Sequence, residues 1–123
     1  MAGENQLFHI DTIIVDGLAI AFEDSSASLS GAAGFKNDPK LSASGDDFVY
    51  RSRVPRILKA KLQWAAANDP RTYSGMSNVQ LAMRDSFTGR KCLAPKATFG
   101  EMGDIGAGTV DIQFILNAEL QWL

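Results

Sequence analysis

The side chains able to do chemistry are few and scattered. The sequence holds one histidine, His9, and one cysteine, Cys92. A nucleophilic site needs a nucleophile, a base and a group that orients the base. A structural zinc site needs about four ligands, mostly Cys and His. One His and one Cys supply neither, so no catalytic, metal or cofactor site is expected. His9 stands beside the apolar start of a strand, "HIDTIIV", and reads as structural. Cys92, inside "RKCLAPKATF", reads as a small core residue. With no second cysteine it cannot form an internal disulfide, and folding in a reducing cytoplasm is expected. The acid pairs Glu23-Asp24 and Asp46-Asp47 lie in Ser- and Gly-rich sequence, which suits solubility better than proton transfer. Gly100, Gly103, Gly106 and Gly108 match neither a dinucleotide fingerprint nor a phosphate loop. They read as a flexible connector, or as one that lets backbones approach. The chain is not expected to be an enzyme.

Charge is distributed unevenly along the chain. Residues 1–50 carry eight acids against two bases, residues 51–96 ten bases against two acids, and residues 97–123 four acids and no base. Such blocks can pair within a subunit or across an assembly. The basic run Arg51, Arg53, Arg56, Lys59, Lys61, with Tyr50 and Trp64 nearby, has two readings. It is an outer face paired with acids, or it is a nucleic-acid surface.

The elements that must position these residues are strands. The chain has 123 residues, 46% of them hydrophobic and 21% charged, which fits one globular domain over 1–123. No apolar run approaches the ~20 residues that span a bilayer, and the start lacks the basic and apolar stretches of a signal peptide. "TIIV", "DG" and "LAIAF" predict a tight hairpin. Residues 23–47 are rich in Ser, Gly, Ala and Asp. They are either a mobile surface loop or an arm that orders against a neighbour. "FVYRSRV" and "RILKAKLQW" alternate with period two and are split by Pro55, which predicts an edge, bulge or bend. Ala65–Asn68 or Pro70–Met76 predicts one short helix. "VQLAMRDSFTGRKCLAPKATF" predicts a hairpin that turns near "SFTG". About seven strands and frequent turn signals predict a sandwich or barrel.

The last segment, "GTVDIQFILNAELQWL", alternates from Val110 to Trp122. Val110, Ile112, Phe114, Leu116, Ala118, Leu120 and Trp122 form an apolar row. The opposite row, Asp111, Gln113, Ile115, Asn117, Glu119 and Gln121, holds acids and amides and no base. Thirteen extended residues reach about 40 Å, long for a small domain.

The order of these elements resembles the tail tube proteins of contractile-tailed, Mu-like bacteriophages. The stretches that carry the resemblance are the "DG" hairpin, the Gly/Ser-rich arm, "RVPRILKAKLQW", the "TG"-turn hairpin, the glycine connector and "GTVDIQFILNAELQW". They cover residues 7–123. The departure is the helical insert around Tyr73–Asn78, which is weakly amphipathic. The resemblance implies a mainly β fold: a small antiparallel β-barrel or sandwich with one short flanking helix and a long hairpin arm, assembling into hexameric rings. It implies that rings stack into a tube inside a contractile sheath. Implied partners are further copies of the chain, the tail sheath protein, and the baseplate and tail terminator proteins. DNA would pass transiently down the bore, and no membrane anchor is implied. The location implied is the virion tail, assembled in the host cytoplasm.

On that reading Asp111, Gln113, Asn117, Glu119 and Gln121 line the bore and repel the duplex, which carries a charge every ~1.7 Å. Asp38, Lys40, Asp46 and Asp47 of the arm reach a neighbouring subunit or ring, and the arm acids meet a basic interface of Arg51, Arg53 and Arg56. Lys59 and Lys61 are expected on the outside or at a subunit interface, away from the bore. A tube from a phage-tail-like bacteriocin or injection device fits equally. A monomeric β-sandwich binding module is a different class, with Tyr50, Trp64 and Tyr73 as its aromatic candidates.

Overall fold

The computed structural model describes residues 6–123. Among them the chain forms ten strands and one helical turn: β1 Thr12–Val15, β2 Leu18–Ala19, β3 Ser28–Ser30, β4 Phe35–Leu41, β5 Asp47–Arg53, β6 Arg56–Gln63, α1 Arg71–Ser74, β7 Val79–Arg84, β8 Lys91–Met102, β9 Thr109–Leu116 and β10 Gln121–Trp122. The fold is mainly β and antiparallel throughout. One sheet has the order β2-β1-β7-β8-β9-β6-β3, with β10 also paired to β8, and β4 and β5 form a separate hairpin.

Period-two sequence makes the body. In β6, Leu58, Ala60 and Leu62 are buried, and in β9 Val110, Ile112, Phe114 and Leu116 are buried. Ile13, Val15, Leu81, Met83, Cys92 and Ala94 complete the centre of the core, and Tyr73 from α1 closes over it. The expected helix is thus the second of the two candidate segments, reduced to Arg71–Ser74. The predicted "DG" turn is present, with Asp16 at φ 50° and Gly17 at φ 78°. Positive φ at both central residues matches the turn to the twist of its strands.

The sheet curls but does not close into a barrel. Its ladder ends at β2 and β3. The segment after β2 nonetheless reaches β6 through a single bridge, Phe22 to Leu62. Two backbone bonds flank the bridge: Gln63 N–H to the Ala21 carbonyl, 3.0 Å, and Glu23 N–H to the Lys61 carbonyl, 2.8 Å.

The final strand is interrupted where the alternation predicts continuity. β9 stops at Leu116, and β10 rejoins β8 at Gln121 opposite Leu93. Between those pairings the four residues Asn117–Leu120 face the three residues Ala94–Lys96, one residue in excess, as at a bulge. Leu120 is still buried, so the apolar row survives the break. Trp122 does not follow it: it is 41% exposed and packs edge-on against Phe8 at 5.5 Å.

The β7–β8 turn hangs on one buried acid. The Asp85 carboxylate accepts from the backbone N–H groups of His9 (3.1 Å), Phe87 (3.0 Å) and Thr88 (3.4 Å). The His9 N–H bond chiefly holds its carboxyl below the ordinary carboxylate range, with burial opposing and the turn N–H groups and Thr88 assisting. A carboxylate depressed in the folded state stabilises above its unfolded pKa near 4, and the contribution is lost as pH falls below that. Asp85→Ala is therefore expected to lower the thermal midpoint at pH 7 by several degrees. The gap from the parent should narrow as pH drops from about 4 towards 2. Differential scanning calorimetry at several pH values checks both effects.

Candidate functional site

The polar face of the sheet is built by register. Opposed residues in an antiparallel ladder project to the same face. β6 sets Lys61 opposite Asp111, Lys59 opposite Gln113 and Ile57 opposite Ile115. β8 sets Glu101 opposite Gln113 and Thr98 opposite Ile115 from the other side. Lys59 and Lys61 therefore share the face of Asp111 and Gln113, which corrects their expected placement away from that row. The reason is a pairing between segments fifty residues apart, which the periodicity of either strand cannot reveal. The face is charge-compensated and not uniformly acidic. No ion pair forms across it within 4.0 Å among the described residues. A shallow cleft of about 590 Å³ lies over its β6–β9 part, rimmed by Glu23, Asp24, Ser25 and Ser26.

The rest of the expected row divides. Asn117 is committed to structure: its Oδ1 accepts from Thr98 Oγ1 at 3.2 Å and its Nδ2 donates to Asn78 Oδ1 at 3.0 Å. Asn78, at φ 54°, in turn donates its backbone N–H to Thr98 Oγ1. This amide–hydroxyl chain ties the start of β7, β8 and the end of β9 together. Glu119 and Gln121 are exposed, in the segment after the break and in β10.

The second candidate feature is the β4–β5 hairpin, which is exposed along nearly its whole length. Residues 23–34 run along the body, and the projecting part is Phe35–Arg53. Arg51 and Arg53 thus lie on the hairpin itself, and only Arg56 belongs to the body. Within the hairpin, Arg51 stacks over Phe35 at 4.0 Å, Lys40 over Tyr50 at 5.2 Å, and Lys36 lies 3.8 Å from Asp38. Asp46 holds the tip, its carbonyl accepting from Ser42 N–H at 3.1 Å, and Asp47 begins β5. No arm acid meets Arg51, Arg53 or Arg56 within ion-pair distance among the described residues. The hairpin leaves by Val54-Pro55 between β5 and β6, the bend that Pro55 predicts. At its root Gly34, at φ 81°, leaves room for the Arg56 guanidinium that a Cβ would strike.

Among the described residues nothing else gathers into a site. Cys92 is fully buried, and burial pushes its thiol up to about 11, far from a nucleophilic thiolate. No group of three metal-ligating side chains occurs among the described residues. The aromatic candidates do not make a platform: Tyr73 is buried against Trp64, and Tyr50 lies on the hairpin.

Comparison with solved structures gives the architecture a counterpart. The chain superposes with a TM-score of 0.63 on a chain of the sheath–tube complex of PVC, an extracellular contractile injection system, in its extended state. The match covers 96% of this chain and 90% of that one, at 9% identity. It superposes with a TM-score of 0.64 on a chain of the sheath/tube terminator of the same system, over 98% of this chain and 97% of that one, at 8% identity. The fold is shared with these contractile-system chains. At such identity the likeness is one of fold. No family model matches the sequence, and no curated protein matches it.

Proposed function

We propose that the chain is a structural subunit of the tube of a contractile tail or contractile injection particle, and not an enzyme. One observation carries this reading: the fold matches chains of a sheath–tube complex and of a tube terminator over nearly the whole length of both partners. Fold alone does not license function, so the chain's own surfaces must be compatible with it. A sheet with one largely buried face and, over β6, β8 and β9, a largely polar one can serve as the wall of a tube. An exposed hairpin carrying bulky apolar residues suits contact with a neighbour.

In its finer form the proposal has copies of the chain forming hexameric rings that stack inside a sheath, as the inner tail tube of a phage. Sheath, baseplate and terminator proteins are the partners, and the assembled particle is the location. The polar face of β6, β8 and β9 then lines the bore, and DNA passes along it. Lys59 and Lys61 are compatible with passage because the same face carries two acids, Asp111 opposite Lys61 and Glu101 opposite Gln113. Phosphate is held by uncompensated basic side chains. The same tube would serve a headless injection device, and nucleic acid in purified particles separates the two.

The test is electron microscopy of the purified chain with light scattering over a concentration series. Hollow rings or tubes with six-fold end views are expected. A monomer at every concentration, even when seeded with tube-terminated particles, would overturn the proposal.

A further inference from the structure

The β4–β5 hairpin has two outer edges that differ chemically. Ser42 N–H bonds the Asp46 carbonyl at 3.1 Å, and Val54 N–H bonds the Gly34 carbonyl at 3.0 Å. Alternate opposed pairs in an antiparallel ladder exchange bonds, so these two bonds set the phase of the hairpin. Lys40–Phe48, Asp38–Tyr50 and Lys36–Ser52 bond each other. Asn37–Arg51 and Pro39–Val49 turn their backbone groups outward. On β4 the outward positions are Phe35, Asn37, Pro39 and Leu41; Pro39 near the centre has no N–H, and Lys40 stands next to it. Proline and lysine are the devices that keep an edge from pairing. On β5 the outward positions are Asp47, Val49, Arg51 and Arg53, and every one carries an N–H. Side chains on that strand are bulky and exposed, Phe48 by 58% and Val49 by 68%. A lone two-stranded hairpin is marginal in water, so this one is built to receive a third strand on the β5 side.

The body offers a matching edge. β3 ends the main sheet, paired with β6 on one side only, and Ser28–Ser30 contain neither proline nor charge. Just before it stand the exposed acids Glu23 and Asp24. The free β5 edge ends in Arg53, which has no ion pair among the described residues. Antiparallel addition of β5 to β3 brings the Arg53 end towards those acids. We infer that the β5 edge of one copy adds to the β3 edge of a second copy, with Arg53 of one meeting Glu23 of the other, since Asp24 already lies 3.3 Å from His9 Nε2, while the β4 edge stays free. Different patches meet in this contact, so it is head-to-tail and propagates to further copies.

The inference rests on the proposed self-assembly, and proline variants of the full chain separate the two. Sedimentation of assembled protein over a concentration series gives the critical concentration. Val49→Pro removes an outward N–H from the β5 edge, Asn37→Pro removes one from the β4 edge in the same phase, and Val49→Ala trims the side chain and keeps the N–H. Val49→Pro is expected to raise the critical concentration about tenfold or more, with the other two within about threefold of the parent. Arg53→Glu should raise it as well, and Glu23→Arg added to it should restore it. Equal assembly of Val49→Pro and parent, or equal loss with Asn37→Pro, would overturn the edge assignment alone. Loss in Arg53→Glu without restoration by Glu23→Arg would overturn β3 as the receiving edge. A parent chain that never assembles would overturn the assembly reading and the inference together.

Discussion

Phe114→Ala is expected to cost the subunit about 3–5 kcal/mol of folding stability. Phe114 is the largest fully buried side chain, at the centre of β9. It stands opposite Leu58 of β6 and Phe99 of β8, and its ring meets that of Phe99 edge-on at 6.5 Å. Truncation removes contacts to both neighbouring strands at once and leaves a void the sheet can only partly close. A domain of this size has only about 5–15 kcal/mol in reserve. Urea unfolding of the purified, unassembled chain measures the cost. Ile115→Ala is the internal comparison, since Ile115 is 44% exposed on the opposite face, and about 1 kcal/mol or less is expected there. Equal effects at the two positions would contradict the assignment of faces.

The second large effect concerns the charge of the polar face. Asp111 stands opposite Lys61, and Glu119 lies exposed beyond the strand break. Asp111→Lys would turn the compensated face into a basic one, and Glu119→Lys adds a second base in the exposed segment beyond β9. Repeated around a ring, it would supply several new phosphate contacts per turn of duplex. Each contact adds about 0.9 to the slope of log affinity against log salt. Assembled variant tubes are expected to retain a short DNA duplex at 50 mM salt and to release it by 200 mM, a loss of about a thousandfold for six contacts. Parent tubes are expected to retain none at either salt. The substitutions are on exposed side chains, so tube formation itself should persist. Filter retention of labelled duplex over a salt series reads the result. Equal retention by parent and variant would contradict the proposed lining of the bore by this face.

Much of the body is legible in sequence because one physical rule builds it. A half-buried strand alternates, and β6, β7 and β9 alternate cleanly enough to assign each side chain to a face. The Asp16-Gly17 turn is legible for an equally local reason, the need for positive φ at two successive positions. Pro55 marks the exit from the hairpin because it cannot donate to a ladder. What fails is what depends on pairing partners. "FKNDPKL" carries Asn37, Asp38 and Pro39, poor strand formers all, and becomes β4 only through its register with β5. Its place on an outer edge is what tolerates Pro39. Lys59 and Lys61 read as outside the acid–amide row because nothing in "RILKAKLQW" says which strand lies beside it. The break at Asn117 is likewise invisible, since alternation continues through it while one extra residue is absorbed against β8. Asp85 stands just before the expected "SFTG" turn, but its bond to the His9 backbone spans 76 residues and leaves no local signal.

The most direct measurement is to label Gln113→Cys, in a chain whose own Cys92 is buried, with thiol-reactive gold clusters before assembly, and to image the product. Hollow tubes with gold confined to the bore are expected, with clusters wider than the bore unable to reach the thiol once tubes have formed. Gold along the outer wall, full labelling of preformed tubes by the widest clusters, or labelled protein that stays monomeric beside an assembling parent would contradict the proposed tube with this face inside.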